Sequence, residues 1–549
     1  MKRDEFCSAI QKGYTTKGAG LHLGAAIFEG EVLPHAPVVL PLRTMNRHGL
    51  ISGATGTGKT KTLQMICEGL SEQGVPVLAM DIKGDLSGLA TAGAPSASIT
   101  ERHDKLGMDW SPSGYPVEFL TLSHEPGVRL RATVLEFGPL LFAKLLGLND
   151  TQSSLVALVF KFCDDKGLPL LDLKDFKKVL EYITGPAKGQ VQSEYGLVST
   201  TSVGLIQRKL IELEQQGAEL FFGEKSFEVE DLARVDNGFG VISVLRLTDL
   251  QNRPKLFSSF MLQLLGELYA TFPEAGDLDK PKLVIFIDEA HLIFEEAEKA
   301  LLDQIETVIK LIRSKGIGVF FCTQTPKDVP ESVLAQLGLK VQHALRAFTA
   351  NDRKQIQLIA ANYPETPFYD TETMLTSLGI GEALVTALDE RGIPTPLAAT
   401  VLAAPRSRMG PLSEEELNSV VARSSLAEKY NQSIDPHSAY EMLGGKVAAA
   451  SAPTGSSRPA YAPATPPASR RTYQPSTPPP VSAPPVPPAA PTLNLPYPEP
   501  AKASEPSVFD NLTKGLGNQV FKQIARTATS SITRELLGVL GLGGRSRRR

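Results

Sequence analysis

Residues 48–70 read HGLISGATGTGKTKTLQMICEGL, and this stretch limits the fold more than any other. Gly53, Gly58, Lys59 and Thr60 fill the pattern GxxxxGK[ST]. Before them, Gly49-Leu50-Ile51 reads as the end of a short apolar strand. After them, Leu63, Ile66, Cys67 and Leu70 recur at the spacing of one helix face. A glycine-rich turn between a strand and a helix N-terminus leaves backbone N–H groups converging on one spot. With the helix dipole they form a cradle for a polyphosphate. Gly53, Ala54, Thr55, Gly56, Thr57, Gly58, Lys59, Thr60 and Lys61 are therefore the candidate nucleotide-binding residues. Lys59 is expected to reach the β- and γ-phosphates, and the Thr60 hydroxyl to ligate Mg²⁺.

The chain has 549 residues, long enough for two or three domains or for one large α/β core with insertions. A net charge of −4 does not announce a nucleic-acid binder, so any such contact must come from a local patch or a ring of subunits. The four cysteines are scattered without a CxxC pair, which points to neither a zinc site nor a disulfide framework. No apolar run is long enough to span a bilayer, and MKRDEFCSAI lacks the core of a signal peptide. The expected location is the cytoplasm, without a transmembrane segment.

Residues 1–45 contain short apolar pieces broken by Gly and Pro, read as a β-rich lead-in that packs on the core. The nucleotide core then alternates strands and helices. Val75–Met80 reads as a buried strand ending at Asp81, followed by the loop DIKGDLSG. Loops at the C-terminal ends of parallel strands are where ligands bind, so Asp81, Lys83 and Asp85 are candidates to position nucleotide or water; a capped turn is the plain alternative. Strands are also expected at Pro116–Leu122, Gly240–Leu247, Lys282–Ile287 and Gly318–Thr323, and weaker ones around Gln342–Arg346 and Gly381–Leu388. Residues 138–235 read as a helical insertion whose apolar spacing serves core packing. Leu301, Ile305, Val308, Ile309 and Ile312 line one side of a helix that ends near Gly316. Repeated buried strands with intervening helices predict an α/β fold with a central, mostly parallel, doubly wound sheet across residues 46–445. Residues 446–505 are Pro-, Ala- and Ser-rich and read as a disordered linker. Residues 506–549 hold an amphipathic repeat (Phe521, Ile524, Ala528, Ile532, Leu536, Val539) and the basic end GGRSRRR. Either a helix that docks on a neighbouring subunit, a partner or a membrane surface, or a weakly ordered tail with solvated arginines, fits that pattern.

Hydrolysis needs more than a phosphate loop. Asp288 closes the apolar strand before it, where a carboxylate can hold Mg²⁺, and Glu289 stands one step beyond, where it can orient and deprotonate the attacking water. Gln324 ends the following strand. In ATPases with an extra strand between the phosphate-loop strand and the Asp-Glu strand, a polar residue there touches the γ-phosphate. His291 completes the tetrapeptide DEAH of superfamily 2 RNA helicases, but the second half holds no QxxGRxGR-like motif, and a local hydrogen-bonding role is preferred. An arginine finger is worth roughly 10³ to 10⁵ in rate, and neither the phosphate loop nor the Asp-Glu strand supplies one. Arg313, Arg346 and Arg353 are candidates to face a neighbour's nucleotide; ordinary surface ion pairing is the alternative for each.

With these residues assembled, the chain resembles the HerA/FtsK branch of RecA-like P-loop ATPases, and in particular the bacterial YjgR-type HerA-like proteins. The likeness is carried by MNRHGLISGATGTGKT, MDIKGDLSG, PKLVIFIDEAHLIF, LIRSKGIGVFFCTQTPKDVP and LGLKVQHALRAFTANDRK, over most of residues 40–445. Such relatives are hexameric ATPases, several of which pump or resect double-stranded DNA. The resemblance implies ATP and Mg²⁺ as cofactors, Lys59 and Thr60 on phosphate and metal, Asp288 and Glu289 on metal and water, Gln324 as sensor, and Arg313 or Arg346 as the trans-acting arginine. It also implies a hexamer acting as a translocase or helicase on double-stranded DNA. The region before the phosphate loop is shorter than the β-barrel of HerA proteins, and neither FtsK-type membrane spans nor a winged helix is evident. The acidic balance and long linker fit a different class, an ATP-regulated scaffold with protein partners bound through the C-terminal helix. A monomeric nucleotide switch is a third, which Glu289 argues against.

Overall fold

The computed structural model describes residues 2–444 apart from 225, 251–252, 277, 295–298, 433 and 435–436. The linker and C-terminal helix expected at 446–505 and 506–549 lie outside the described residues. Fourteen strands are present in that range: β1 (Gly20–Phe28), β2 (Glu31–Pro41), β3 (Gly49–Ser52), β4 (Val77–Asp81), β5 (Val117–Thr121), β6 (Val128–Arg129), β7 (Val235–Asp236), β8 (Phe239–Gly240), β9 (Ile242–Arg246), β10 (Leu283–Ile287), β11 (Ile317–Thr323), β12 (Leu339–His343), β13 (Glu382–Thr386) and β14 (Ala398–Leu402). β7 and β8 form a small antiparallel ladder. The other strands make one twelve-stranded sheet in the order β2-β1-β14-β13-β12-β3-β11-β10-β4-β9-β5-β6. From β12 to β6 every neighbouring pair is parallel. From β12 out to β2 every pair is antiparallel. The fold is thus α/β with a large, mostly parallel sheet of RecA-like order.

Both faces of the parallel part are covered, which explains why its strands are apolar throughout rather than alternating. Leu78, Met80, Ile285, Ile287, Val319 and Phe321 point into one core, which they share with the helices of residues 134–215, Pro254–Thr271 and Lys299–Ile312. Val77, Ala79, Val284, Phe286, Phe320 and Cys322 point into the other, where Leu63, Ile66, Cys67 and Leu70 of the helix Lys59–Glu72 pack. The helix face read from the sequence is therefore the buried one. Ile305, Val308, Ile309 and Ile312 are likewise buried.

The helical block comprises Val134–Leu145, Asp150–Lys166, Leu173–Thr184, Lys188–Tyr195 and Thr200–Gln215. Three of these start with a reciprocal capping box: Thr133 with Glu136, Asn149 with Gln152, and Asp172 with Asp175. Phe142, Phe160 and Phe176 meet at its centre. After Gln215 the chain runs through two 3₁₀ turns, Ala218–Leu220 and Val229–Ala233, before β7.

The structure departs from the sequence reading at the N-terminus. A helix, Lys2–Gly13, precedes the first strand and buries Phe6 and Ile10. β1 and β2 do not merely lie on the core; they extend its sheet through β14. β14 has no counterpart among the strands that the sequence predicts, and β13 runs antiparallel to β12. A strand order cannot be read from local pattern, because pairing joins segments hundreds of residues apart.

Candidate functional site

β3, only four residues long, is buried on both sides between β11 and β12. Its entry is fixed by His48, whose Nδ1 accepts from the Val319 N–H at 3.0 Å. That leaves the proton on Nε2, which donates to the Ile309 carbonyl at 2.9 Å. Burial, together with nearby Arg313, lowers the His48 pKa to about 4.

Past Ser52 the chain turns through Gly53, Gly56 and Gly58, whose φ values of 151°, 78° and 114° suit glycine. Space matters too: a Cβ on Gly53 would lie 2.5 Å from His343 Cβ. Ala54 N donates to the Ala344 carbonyl at 2.9 Å, and Gly381 N donates to the Thr57 carbonyl at 3.0 Å. The loop is therefore held between the exits of β12 and the entry of β13. Arg102 braces that second contact by donating to the carbonyls of Ile380, Gly381 and Leu402. Below the loop, Thr62 Oγ1 and His343 Nε2 are 2.9 Å apart.

No side chain caps the helix N-terminus at Gly58. The first N–H groups of a helix have no partner within it, so donors at this terminus remain for a ligand. Lys59 Nζ donates to the carbonyls of Gly53 at 2.7 Å and Ala54 at 3.1 Å, which keeps the ammonium over the loop. Burial lowers its pKa, and Lys83 adds to that. Thr55 and Gly56 at the tip are exposed, and Thr60 is half-buried.

β11 stands between β3 and β10, so the sheet contains the extra strand expected from the sequence. Asp288 and Glu289 follow β10, both 6% exposed. Ala290 N donates to the Cys322 carbonyl and ties this turn to β11. Gln324, exposed, leaves β11 at the same edge. Burial, reinforced by Glu289 and opposed by Lys83, raises the Asp288 pKa to about 7. Glu289 has φ 47°, a left-handed conformation that costs a non-glycine residue on the order of 1 kcal/mol or more. Its Oε1 is ion-paired with Lys83 Nζ. Its Oε2 lies 3.2 Å from His291 Nδ1 but is not aligned for a hydrogen bond.

Lys83 comes from the turn after β4, the strand beside β10. Asp81 shapes that turn: its Oδ1 accepts from Gly84 N and Asp85 N, and its Oδ2 from Leu86 N. Of the three candidates in DIKGDLSG, Asp81 is thus a turn cap and Lys83 the one that reaches Glu289. Asp85 Oδ1 is buried without a partner. Two orphaned buried carboxylate oxygens, on Asp85 and Glu289, fit an edge made to receive a cation. Thr60 and Asp288 are hard oxygen donors of the kind Mg²⁺ takes, and the glycine cradle fits a polyphosphate.

The arginines are distributed differently. Arg313, exposed, sits in the 3₁₀ turn Arg313–Lys315 before β11 begins at Ile317. The nucleotide edge lies at the other end of β11, roughly 20 Å away at 3.3 Å per residue. Arg346 lies beyond β12, which ends at His343 rather than running to Arg346, and it is exposed at the same edge as the chain's own loop. Arg353 is exposed on the helix Ala350–Ala360.

Fold and loop together define a RecA-like P-loop NTPase. A family described as Helicase HerA-like C-terminal matches residues 28–548, and the chain belongs to that family. It is 22% identical over 351 residues to the DNA double-strand break repair helicase HerA of Saccharolobus solfataricus, covering 63% of each. It is 32% identical over 170 residues to a probable helicase of Methanocaldococcus jannaschii, covering 29% of this chain and 30% of that one. The chain thus spans less than two thirds of the length of either relative. Among solved structures, the bacterial conjugative coupling protein TrwB matches with 14% identity and TM-score 0.46, over 74% of this chain and 94% of that one. VirB4 of Thermoanaerobacter pseudethanolicus matches with 18% identity and TM-score 0.45, over 71% and 98%. Among the described residues no helix is long and apolar enough to cross a membrane.

Proposed function

We propose that this protein is an oligomeric ATP-driven motor that acts on double-stranded DNA. The observation that carries it is the meeting of Lys59, Asp288, Glu289 and Gln324 at one edge of β3, β11 and β10. Lys59 and the N-terminus of its helix bind the β- and γ-phosphates of ATP. Thr60 and Asp288 would hold Mg²⁺, which would neutralise phosphate charge. Glu289 orients the attacking water and takes its proton. Gln324 meets the γ-phosphate and relays its loss along β11. A neighbouring subunit completes the site with an arginine, Arg313 being favoured because it cannot reach its own loop. The family and the relative, a DNA double-strand break repair helicase, support DNA as the polymer, and the family resemblance implies a hexamer as the assembly.

Steady-state ATPase assays with and without duplex DNA test this. Turnover should rise with DNA and vanish in Lys59→Ala. DNA binding should weaken steeply as salt increases, because phosphate contacts release counterions. Turnover indifferent to any nucleic acid overturns the DNA assignment, and no turnover in any assembly overturns the motor.

A further inference from the structure

We propose that Lys83 is a positioning residue that latches Glu289 in an unproductive state and must let go before water can be activated. The inference rests on Glu289 being the general base. Three features carry it. First, the Lys83 ammonium occupies Oε1 of Glu289, one of the two oxygens available to accept a proton from water. The other, Oε2, is buried 3.2 Å from His291 Nδ1, without an aligned hydrogen bond. Second, the two ends of the latch differ in freedom. The Glu289 side chain is 7% exposed, whereas that of Lys83 is 42% exposed, on a turn that Asp81 pins by backbone N–H groups alone. The lysine can swing out while the turn stays. Third, Glu289 is held at φ 47°, so the structure maintains an unfavourable backbone to present this carboxylate at the edge.

A triphosphate arriving at the cradle brings several negative charges near an ammonium that already faces Asp288 and Glu289. Transfer of Lys83 from the carboxylate toward the phosphates frees Oε1. No covalent step is involved; one ion pair is exchanged for another. While the ion pair competes with the phosphates for the ammonium, it restrains hydrolysis even with ATP bound.

Full-length Lys83→Met and Lys83→Arg, with Glu289→Gln and the double variant, test the latch. Thermal melting confirms that each is folded. In Lys83→Met the DNA-independent kcat at saturating ATP should rise several-fold, read separately from any rise in KM for ATP as the ammonium's phosphate contact is lost. Lys83→Arg should return kcat toward the parent value, and Lys83→Met with Glu289→Gln should be inactive. A fall in kcat, at any KM, makes Lys83 a group that turnover needs rather than one that restrains it, and overturns the latch. An unchanged kcat leaves only a structural ion pair and also overturns it. Should Glu289→Gln alone keep full turnover while binding a fluorescent ATP analogue, the base assignment fails instead, separately from the latch.

Discussion

Arg313 and Lys59 stand at opposite ends of adjacent strands: Arg313 precedes β11, whereas Lys59 follows β3, which runs parallel to β11. One subunit cannot bring the two together, since the sheet holds them apart. Arg313→Ala is therefore expected to leave ATP binding intact and to lower turnover by roughly 10³-fold or more, the worth of an arginine finger. Mixed with Lys59→Ala, it should recover part of the activity, because mixed rings contain sites with both a good loop and a good arginine. Complementation that never appears would return the role to Arg346 or Arg353.

Gly53 is the loop glycine with least room. Adding a methyl group there would meet His343 Cβ at 2.5 Å and would strain a φ of 151°. Gly53→Ala should cost at least about 1–3 kcal/mol of stability and weaken nucleotide binding together. Gly56 has nothing within 4 Å of the added atom, so Gly56→Ala meets strain only from its φ of 78°. Chemical denaturation of the two variants should rank Gly53→Ala as the less stable.

His48 gives the fold an acid limit. It is neutral when folded, with a pKa of about 4 against about 6.5 unfolded. The unfolded chain thus binds a proton first as pH falls, and stability declines from about pH 6.5 down to about 4. The ceiling is about 3 kcal/mol, from 1.36 kcal/mol per pKa unit. His48→Asn cannot protonate, so its melting temperature should fall less steeply across that window, even from a lower start.

Glu267 works in the other direction. It lines a cavity with Leu130, Ala132, Phe221, Phe260 and Leu264. Burial, then Glu136 and Glu230, raise its pKa to about 8. Between about pH 4.5 and 8 the unfolded chain has lost this proton and the folded one retains it, so stability falls as pH rises. Glu267→Gln removes the penalty and should raise the melting temperature at pH 8–9 more than at pH 5. Equal gains at both values would refute the assignment.

Much of the nucleotide edge was legible in the sequence, because short motifs carry their geometry with them. GATGTGKT dictates a strand, a turn and a helix start within a dozen residues, and the run Leu283–Ile287 dictates where Asp288 and Glu289 stand. His48, Gly381 and Arg102 left no such trace. Their contacts join residues far apart in the chain, such as Arg102 to Leu402. By local pattern Asp81, Lys83 and Asp85 are equivalent candidates in their loop, and only the placement of β4 beside β10 singles out Lys83.

The sequence alone determined the class of chemistry and the helices' buried faces, since both depend on spacing within single segments. Tertiary structure decided the strand order, the extension of the sheet by β1 and β2, the pairing of Lys83 with Glu289, and the separation of Arg313 from its own loop. Those are matters of which distant segments pair, and pairing is set by the packing of the whole core rather than by any one stretch of it.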